Sequence, residues 1–347
     1  MKKRWYIMTL MMGALAWSSC SSIDDDLSNC TNDFELDYEL RLVTNMTTEL
    51  QTQLNTETDI SVATALRTYL SDIFTDFAHD VDLSFYDTAG DSLRLQHDEH
   101  VMDANQASYT LNLPMRQYMH IAAANMVDNP IVDVYDDERC HTAKIQQVVG
   151  DTISSHTTGI FSARLPMEVL SGVDQTFNVH LYMANCATSL VVDTLESGIR
   201  DIMVFTTGFA SDFNMADSVY HFAAKPPVVH AQKVETESQD QLTFCSVNFP
   251  SREPAATRTV IETTDPFVSP TSDESLWEYH IYVMLEDGSI TETILYVMTP
   301  LRAGQLRIIK CKANKNGGVE PTNMNDHTVG VSITTDWGEG WHFEPDL

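Results

Sequence analysis

Apolar and polar residues alternate along most of this chain, and a period of two residues predicts β-strands. The first clear run is Phe34 to Leu42, where apolar residues at even positions alternate with charged residues at odd positions. Such a run places all its apolar side chains on one face of a sheet. The same alternation, interrupted by turn residues, predicts further strands at 81–85, 108–113, 118–126, 161–165, 177–183, 189–193, 201–206, 218–223, 241–248, 276–285, 290–298, 304–312 and 327–335. Many short strands of this kind are typical of β-sandwiches and barrels.

Residues 57–79 follow a different period. Apolar residues recur there every three or four positions, after Thr58 and Asp59, which are residue types that cap helix N-termini. They predict one amphipathic helix among the strands. With 347 residues the chain is long enough for two domains, the alternation restarts near residue 160, and we place the boundary near 165. We therefore expect an N-terminal β-sandwich at 33–165, containing the helix, and a C-terminal β-sandwich at 166–347.

The first residues have the pattern of an export signal. A basic segment at 2–4 precedes a short apolar run at 5–17, and small residues stand directly before Cys20. The run is too short to span a bilayer, which needs about 20 residues. The pattern predicts a lipoprotein signal peptide at 1–19, an acylated Cys20 and a tether at 20–32. Trp17 stands where such signals usually carry Leu, and ordinary secretion with cleavage elsewhere is the alternative.

An acidic cluster, Asp24 to Asp26, follows Cys20. It resembles the surface-export signal of lipoproteins in the Bacteroides group; a solvated acidic linker is the alternative. These segments predict a protein that is lipid-anchored in the outer membrane and exposed at the cell surface. The net charge of −30 repels nucleic acids and anionic lipid headgroups. Nucleic acid is therefore not an expected partner, and attachment to the membrane would depend on the acyl chains of Cys20.

Motifs of the common enzyme classes are missing from the sequence. The chain contains no GxSxG, HExxH, Walker A or GxGxxG motif. We therefore expect no enzyme: no catalytic residue, no cofactor and no small-molecule substrate. His97 and His100 could bind a metal from one helix face, but their polar neighbours favour a solvated loop, and no metal site is expected. A hydrolase that uses paired carboxylates needs no motif and remains an alternative.

Cysteine and tryptophan residues leave further alternatives open. Five cysteines remain after Cys20, an odd number, so at least one is unpaired within the monomer. They are Cys30, Cys140, Cys186, Cys245 and Cys311; the one pairing that we suggest joins Cys30 to Cys140. Trp277, Trp337 and Trp341 could stack on sugar rings, although an aromatic residue on an alternating strand more often belongs to the core.

Several segments together resemble the FimB/Mfa2 family of fimbrial anchor subunits. They are the signal ending at Cys20, Asp25–Cys30, Phe34–Leu42, Val81–Asp87, Val179–Cys186 and Val329–Ile333. The resemblance implies two transthyretin-like Greek-key β-sandwiches in tandem, a lipid-tethered N-terminus and a place at the base of a Bacteroidetes pilus. It also implies that related stalk subunits lose an N-terminal strand, so that the C-terminal strand of the next subunit can fill the groove by strand addition.

An anchor of this kind should keep its own first strand, and the resemblance places that strand at Phe34, Leu36, Tyr38 and Leu40. Val329, Val331 and Ile333 form a period-two face that either is donated to a neighbour or is the last strand of the second sandwich. The expected function is attachment of a pilus to the outer membrane and control of its length, through strand exchange with a neighbouring pilin. The expected partners are fimbrial subunits and membrane lipid; a surface glycan-binding lipoprotein is the alternative.

Overall fold

The computed structural model describes residues 33–335, with gaps at 44–45, 56–58, 75–78, 90, 102–107, 128, 149, 151, 195–197, 239, 255–274 and 324–327. The predicted signal peptide, Cys20, the tether at 20–32, Cys30, Trp337 and Trp341 lie outside the described residues. Within the described part of the chain, no helix has the length and apolar character needed to cross a membrane.

Strands make up most of the described chain. The helices are α1 (Met46–Leu54), α2 (Ile60–Phe74) and a short 3-10 helix at Cys140–Thr142. The strands are β1 (Asp33–Val43), β2 (Asp80–Asp87), β3 (Arg94–Val101), β4 (Ser108–Pro114), β5 (Gln117–Ala124), β6 (Val132–Tyr135), β7 (Lys144–Gln147), β8 (Thr152–Ser154), β9 (Phe161–Glu168), β10 (Thr176–Met183), β11 (Cys186–Asp193), β12 (Ile199–Thr207), β13 (Asp212–Asn214), β14 (Val219–His221), β15 (Val228–His230), β16 (Gln232–Val234), β17 (Gln241–Asn248), β18 (Trp277–Leu285), β19 (Ile290–Val297), β20 (Leu306–Ala313), β21 (Val319–Pro321) and β22 (Val329–Thr334).

The first sandwich is one sheet that folds over on itself. Its strand order is β3-β2-β5-β9-β10-β1-β4, but β9 and β10 pair only at their ends, through residues 161–162 and 182–183. Beyond this corner the strands separate into two layers, β3-β2-β5-β9 and β10-β1-β4. Tyr38 of β1 therefore contacts His120 of β5, although these strands are not neighbours in the sheet. The inward faces of the two layers share one apolar core.

The second sandwich consists of two separate sheets. Their strand orders are β16-β17-β11-β20-β21 and β22-β19-β18-β12-β15-β8, and their inward faces meet in a second core. Buried hydroxyl groups bond to each other across this core: Thr188 lies 2.6 Å from Tyr279, and Thr206 lies 2.9 Å from Ser246. Each of these polar groups thus has a partner in a place that water does not reach.

The two helices lie between the sandwiches. Leu50 of α1 and Leu66 of α2 belong to the same core as β1, and so do Ala187 of β11 and Val247 of β17. Because alternate residues of β11 face the helices and the second core, every residue from 186 to 192 is buried. α2 begins where Asp59 accepts backbone hydrogen bonds from residues 61 and 62.

A small third core joins the remaining strands to the outside of the first sandwich. The sheet β14-β13-β7-β6 contributes Ile145 and Phe213, which pack with Tyr86 of β2 and Ile121 of β5. β8 leaves this region and pairs in parallel with β15 of the second sandwich. β7 and β8 are therefore paired with strands that follow residue 200.

The prediction of a mostly β chain built from sandwich-like domains is confirmed, with one correction to the number of helices. The described part of the chain has two α-helices where the sequence predicts one, because the short polar run of α1 carries a weak helical period. The predicted division at residues 165 and 166 falls inside β9, which pairs with β5 along its whole length. Alternation marks a strand but not the sheet that it joins. The pairing places β10 in the first sandwich, so we propose that the division lies at 184–185.

Candidate functional site

β1 lies inside the first sandwich with a hydrogen-bonded strand on each side. It runs parallel to β10 through residues 37–43 and antiparallel to β4 through residues 33–39, where Phe34 stands opposite Leu113. The inward side chains of Leu36, Tyr38 and Leu40 are 1%, 0% and 5% exposed. The predicted first strand is therefore formed, and its alternation places these three side chains in the core as expected.

One polar contact joins β1 to the opposite layer. The Tyr38 hydroxyl lies 2.5 Å from Nε2 of His120, and Nδ1 of His120 lies 3.0 Å from the carbonyl oxygen of Ser84. Because a carbonyl only accepts, Nδ1 carries the proton and Nε2 accepts from the tyrosine. Complete burial lowers the pKa of His120 to about 4, so the ring is neutral near pH 7, and it stacks on Phe85. Sequence reasoning missed His120, since a single histidine within an alternating strand carries no signal.

The neighbours of β1 show what its absence would uncover. Val179 and Leu181 of β10, and Leu111 and Leu113 of β4, are buried in the core that β1 shares. Without β1 they would line an apolar groove, with unpaired backbone groups along both walls. A surface of this kind binds an added strand.

The predicted C-terminal exchange strand is an edge strand of its own sheet. β22 pairs antiparallel with β19, and β22 stands last in the strand order of the described sheet. Val329 is buried, Val331 is half-buried against the second core, and Ile333 packs over Gly318. Of the two alternatives left open by the sequence, this structure shows the last strand of the second sandwich, and donation of β22 to a neighbour stays a prediction.

The histidine-rich segment forms an ion pair on an edge strand. Residues 97–100 lie within β3, so the prediction of a loop is wrong; an edge strand accepts polar residues because it can expose both faces. His97 Nε2 lies 2.8 Å from Asp82 Oδ2 and 3.9 Å from Glu99 Oε1. Ligand atoms of these three residues lie within 4.8 Å of one another. Burial raises the pKa of Asp82, and the hydrogen bond from His97 opposes that shift.

Two further candidates occupy structural positions. Trp277 is 1% exposed, donates its indole N–H to the carbonyl of Thr299 and packs against Phe209, so it cannot stack on a sugar. Cys140 is a half-buried free thiol, and Cys30, with which we suggested it pairs, lies outside the described residues. The other described cysteines are free and buried in the core, where they act as small apolar side chains: Cys186, Cys245 and Cys311.

A buried ionic network next to β22 was not predicted. Glu292 of β19 is 4% exposed and accepts a hydrogen bond of 2.8 Å from the Tyr282 hydroxyl. His280 lies 3.2 Å from Glu278. Burial by itself lowers the pKa of His280, but hydrogen bonds to Glu278 and Glu292 outweigh it and raise the pKa. These side chains lie on β18 and β19, and β19 pairs with β22.

Comparison by sequence finds no match, either to a protein-family profile or to a curated protein. Comparison by structure does find similar proteins. A crystal structure of a candidate adhesin from Bacteroides ovatus has a TM-score of 0.51 and 10% identity, covering 86% of this chain and 97% of its own. A second candidate adhesin from Bacteroides ovatus has a TM-score of 0.51 and 10% identity, over 93% and 100% of the two chains.

The fimbrial anchor protein Mfa2 from Porphyromonas gingivalis is also among the similar structures, with a TM-score of 0.44 and 10% identity over 88% of this chain and 98% of its own. The two Bacteroides ovatus proteins show that this chain has the fold of known bacterial proteins over nearly its whole described length.

Proposed function

We propose that this chain is a non-enzymatic, lipid-anchored minor fimbrial subunit that attaches a pilus to the outer membrane and limits its length. The observation that supports this most directly is the position of β1 between β10 and β4. A subunit whose first sandwich is filled by its own strand has no empty groove there for a neighbour. Growth of a polymer by strand addition stops at such a subunit.

The energy of β1 burial supports the same conclusion. Full burial of a leucine side chain contributes about 1.5–3 kcal/mol, so Leu36 and Leu40 together contribute about 3–6 kcal/mol before any backbone pairing is counted. The net stability of a folded domain is only about 5–15 kcal/mol. A chain that lost β1 would therefore need a replacement strand, and a chain that keeps β1 has no such need.

Attachment through Cys20 is tested by cell fractionation. We expect Cys20→Ala to remain folded but to leave the membrane fraction, because no acyl chain can be added to alanine. Cys140→Ala is the matched control, since it removes a half-buried free thiol and should leave attachment unchanged. Retention of the Cys20→Ala protein in the outer-membrane fraction would contradict the proposal.

Capture of a fimbrial subunit would use the outer edge of β22. The amide of Met298 bonds to the carbonyl of Thr328. Antiparallel ladder bonds alternate along a strand, so the N–H of residue 331 points away from β19. An incoming strand can pair with this edge while β22 keeps its own sheet.

We therefore expect Val331→Pro to abolish co-purification of fimbrial subunits with the membrane-tethered protein, because proline removes one outward N–H and leaves the β19 ladder intact. Val331→Thr, which keeps that N–H, should co-purify the same subunits as wild type. Circular dichroism checks that both variants are folded. Normal capture by a folded Val331→Pro variant would show that β22 is not the exchange edge.

A further inference from the structure

Three apolar side chains are exposed together at one end of the first sandwich. Met115 is 56% exposed, Leu170 43% and Val173 54%. Met115 lies in the turn between β4 and β5, and the other two lie in the loop between β9 and β10. The turn and the loop are adjacent, since the amide of residue 169 bonds to the carbonyl of residue 116 at 2.9 Å. We name Met115, Leu170 and Val173 the apolar tip.

The apolar tip is at the end where β1 begins. Asp33 pairs with Pro114, directly before Met115, and the amide of Asp37 bonds to the carbonyl of Gln175, at the end of the loop. β1 and β10 both run away from the tip, and β10 leads into β11 of the second sandwich. The second sandwich therefore lies beyond the opposite end, and β1 begins beside the tip.

The length of the preceding chain sets how far the tip can be from the membrane. Residues 20–32 are thirteen residues, which span at most about 45 Å when fully extended. With Cys20 in the bilayer, as the proposed function requires, the end that carries the apolar tip is the end held close to lipid.

The loop is built so that its apolar side chains point away from the protein. Residues 170–174 are all exposed, and a Cβ added to Gly172, whose φ is +69°, would meet no atom within 4 Å. Charged residues beside the tip include Asp33, opposite Pro114, Arg116, which pairs with Asp87 at 3.1 Å, and the exposed carboxylates Glu168 and Asp174. These carboxylates oppose contact with an anionic surface, so the matching partner is a zwitterionic phospholipid interface.

We propose that the apolar tip inserts into the phospholipid interface of the membrane that holds Cys20. This inference rests on the proposed lipid anchor and adds an orientation to it. The tip would hold the first sandwich upright on the bilayer, with β22 and the second sandwich directed outward, where a fimbrial subunit can reach them. Exposed apolar patches rimmed by polar residues commonly mark such contact surfaces.

The test compares amide hydrogen exchange in the acylated full chain on phosphatidylcholine vesicles with that in the Cys20→Ala protein free in the same buffer. We expect the amides of residues 115–116 and 170–174 to exchange about tenfold more slowly on vesicles, because local opening would first require the tip to leave the interface. Amides of residues 217–219, at the connection between β13 and β14, should not change. Equal exchange at the tip in both samples would refute the inference.

A triple variant and a matched control complete the test. Met115→Ser, Leu170→Ser and Val173→Ser together should abolish the slowing at the tip while the acylated protein still floats with the vesicles. The control replaces three other exposed valines with serine, namely Val127, Val148 and Val219. It should keep the slower amide exchange at the tip. If the acylated wild-type protein fails to float, the lipid anchor itself is refuted. If it floats with unprotected tip amides, only the tip contact is refuted.

Discussion

Replacing Tyr38 with Phe removes a single hydroxyl group from the interior of the first sandwich and leaves the aromatic ring. In wild type this hydroxyl donates to Nε2 of His120, 2.5 Å away, in a place where both residues are fully buried. In the variant, Nε2 keeps its lone pair but has no donor and no access to water. A buried acceptor left in this way costs about 1–3 kcal/mol. We expect Tyr38→Phe to lower the free energy of unfolding by that amount.

Urea unfolding followed by circular dichroism measures the effect on the Cys20→Ala protein, which needs no lipid. Tyr182→Phe is the control, because Tyr182 is on neighbouring β10 and is 58% exposed, so its hydroxyl can bond to water. The same substitution at Tyr38 in a His120→Leu background should cost less than about 0.5 kcal/mol, since the acceptor is gone. An equal cost in both backgrounds, or no cost in wild type, would refute the assigned contact.

Two other predictions concern pH and backbone conformation. Burial lowers the pKa of His120 to about 4 and of His156 to about 3, against 6.5 for the exposed group. Both imidazoles are neutral in the folded protein, so their contribution to the free energy of unfolding is complete above pH 6.5. It decreases as the pH falls from 6.5 toward their pKa values in the folded protein. At pH 5 the protonation preference of each histidine should lower the free energy of unfolding by about 2 kcal/mol relative to pH 7.5. Equal free energies of unfolding at pH 7.5 and pH 5 would contradict this. Gly208 has φ +95°, and an added Cβ would lie 2.6 Å from the Cα of Trp277. Gly208→Ala should therefore cost more than about 3 kcal/mol, against about 1 kcal/mol for Gly172→Ala, whose Cβ meets no atom; similar melting temperatures for the two variants would show that the clash is relieved.

Side-chain direction along the strands could be predicted, while strand partners could not. The alternation of Leu36, Tyr38 and Leu40 with charged residues predicts which side chains enter the core, and all three do. The same pattern says nothing of β10, which follows β1 by more than a hundred residues and pairs with it in parallel. Strand pairing depends on which strand edges are complementary once the whole chain is collapsed. The spacing of residues within one strand does not indicate its partner.

For individual candidate residues too, the sequence did not indicate which distant residues they would contact. The sequence places His97 three positions before His100, but the partner of His97 is Asp82 on the adjacent strand. Trp277 follows a strand pattern that would suit a core or a binding surface equally, and its burial under Phe209 depends on where the second sandwich closes.

The amino-acid sequence by itself determined that this protein is mostly β, that its first strand has one apolar face, and that its N-terminal residues have the pattern of a lipoprotein signal. These properties depend on residue type and spacing within about ten positions. Only the tertiary structure decided that β1 fills the first sandwich from within, that β22 lies at the edge of the second, and that three exposed apolar side chains are carried by an adjacent turn and loop beside the start of β1. Those arrangements join residues far apart in sequence, and they arise because each sheet can bury its apolar face only against a particular distant partner.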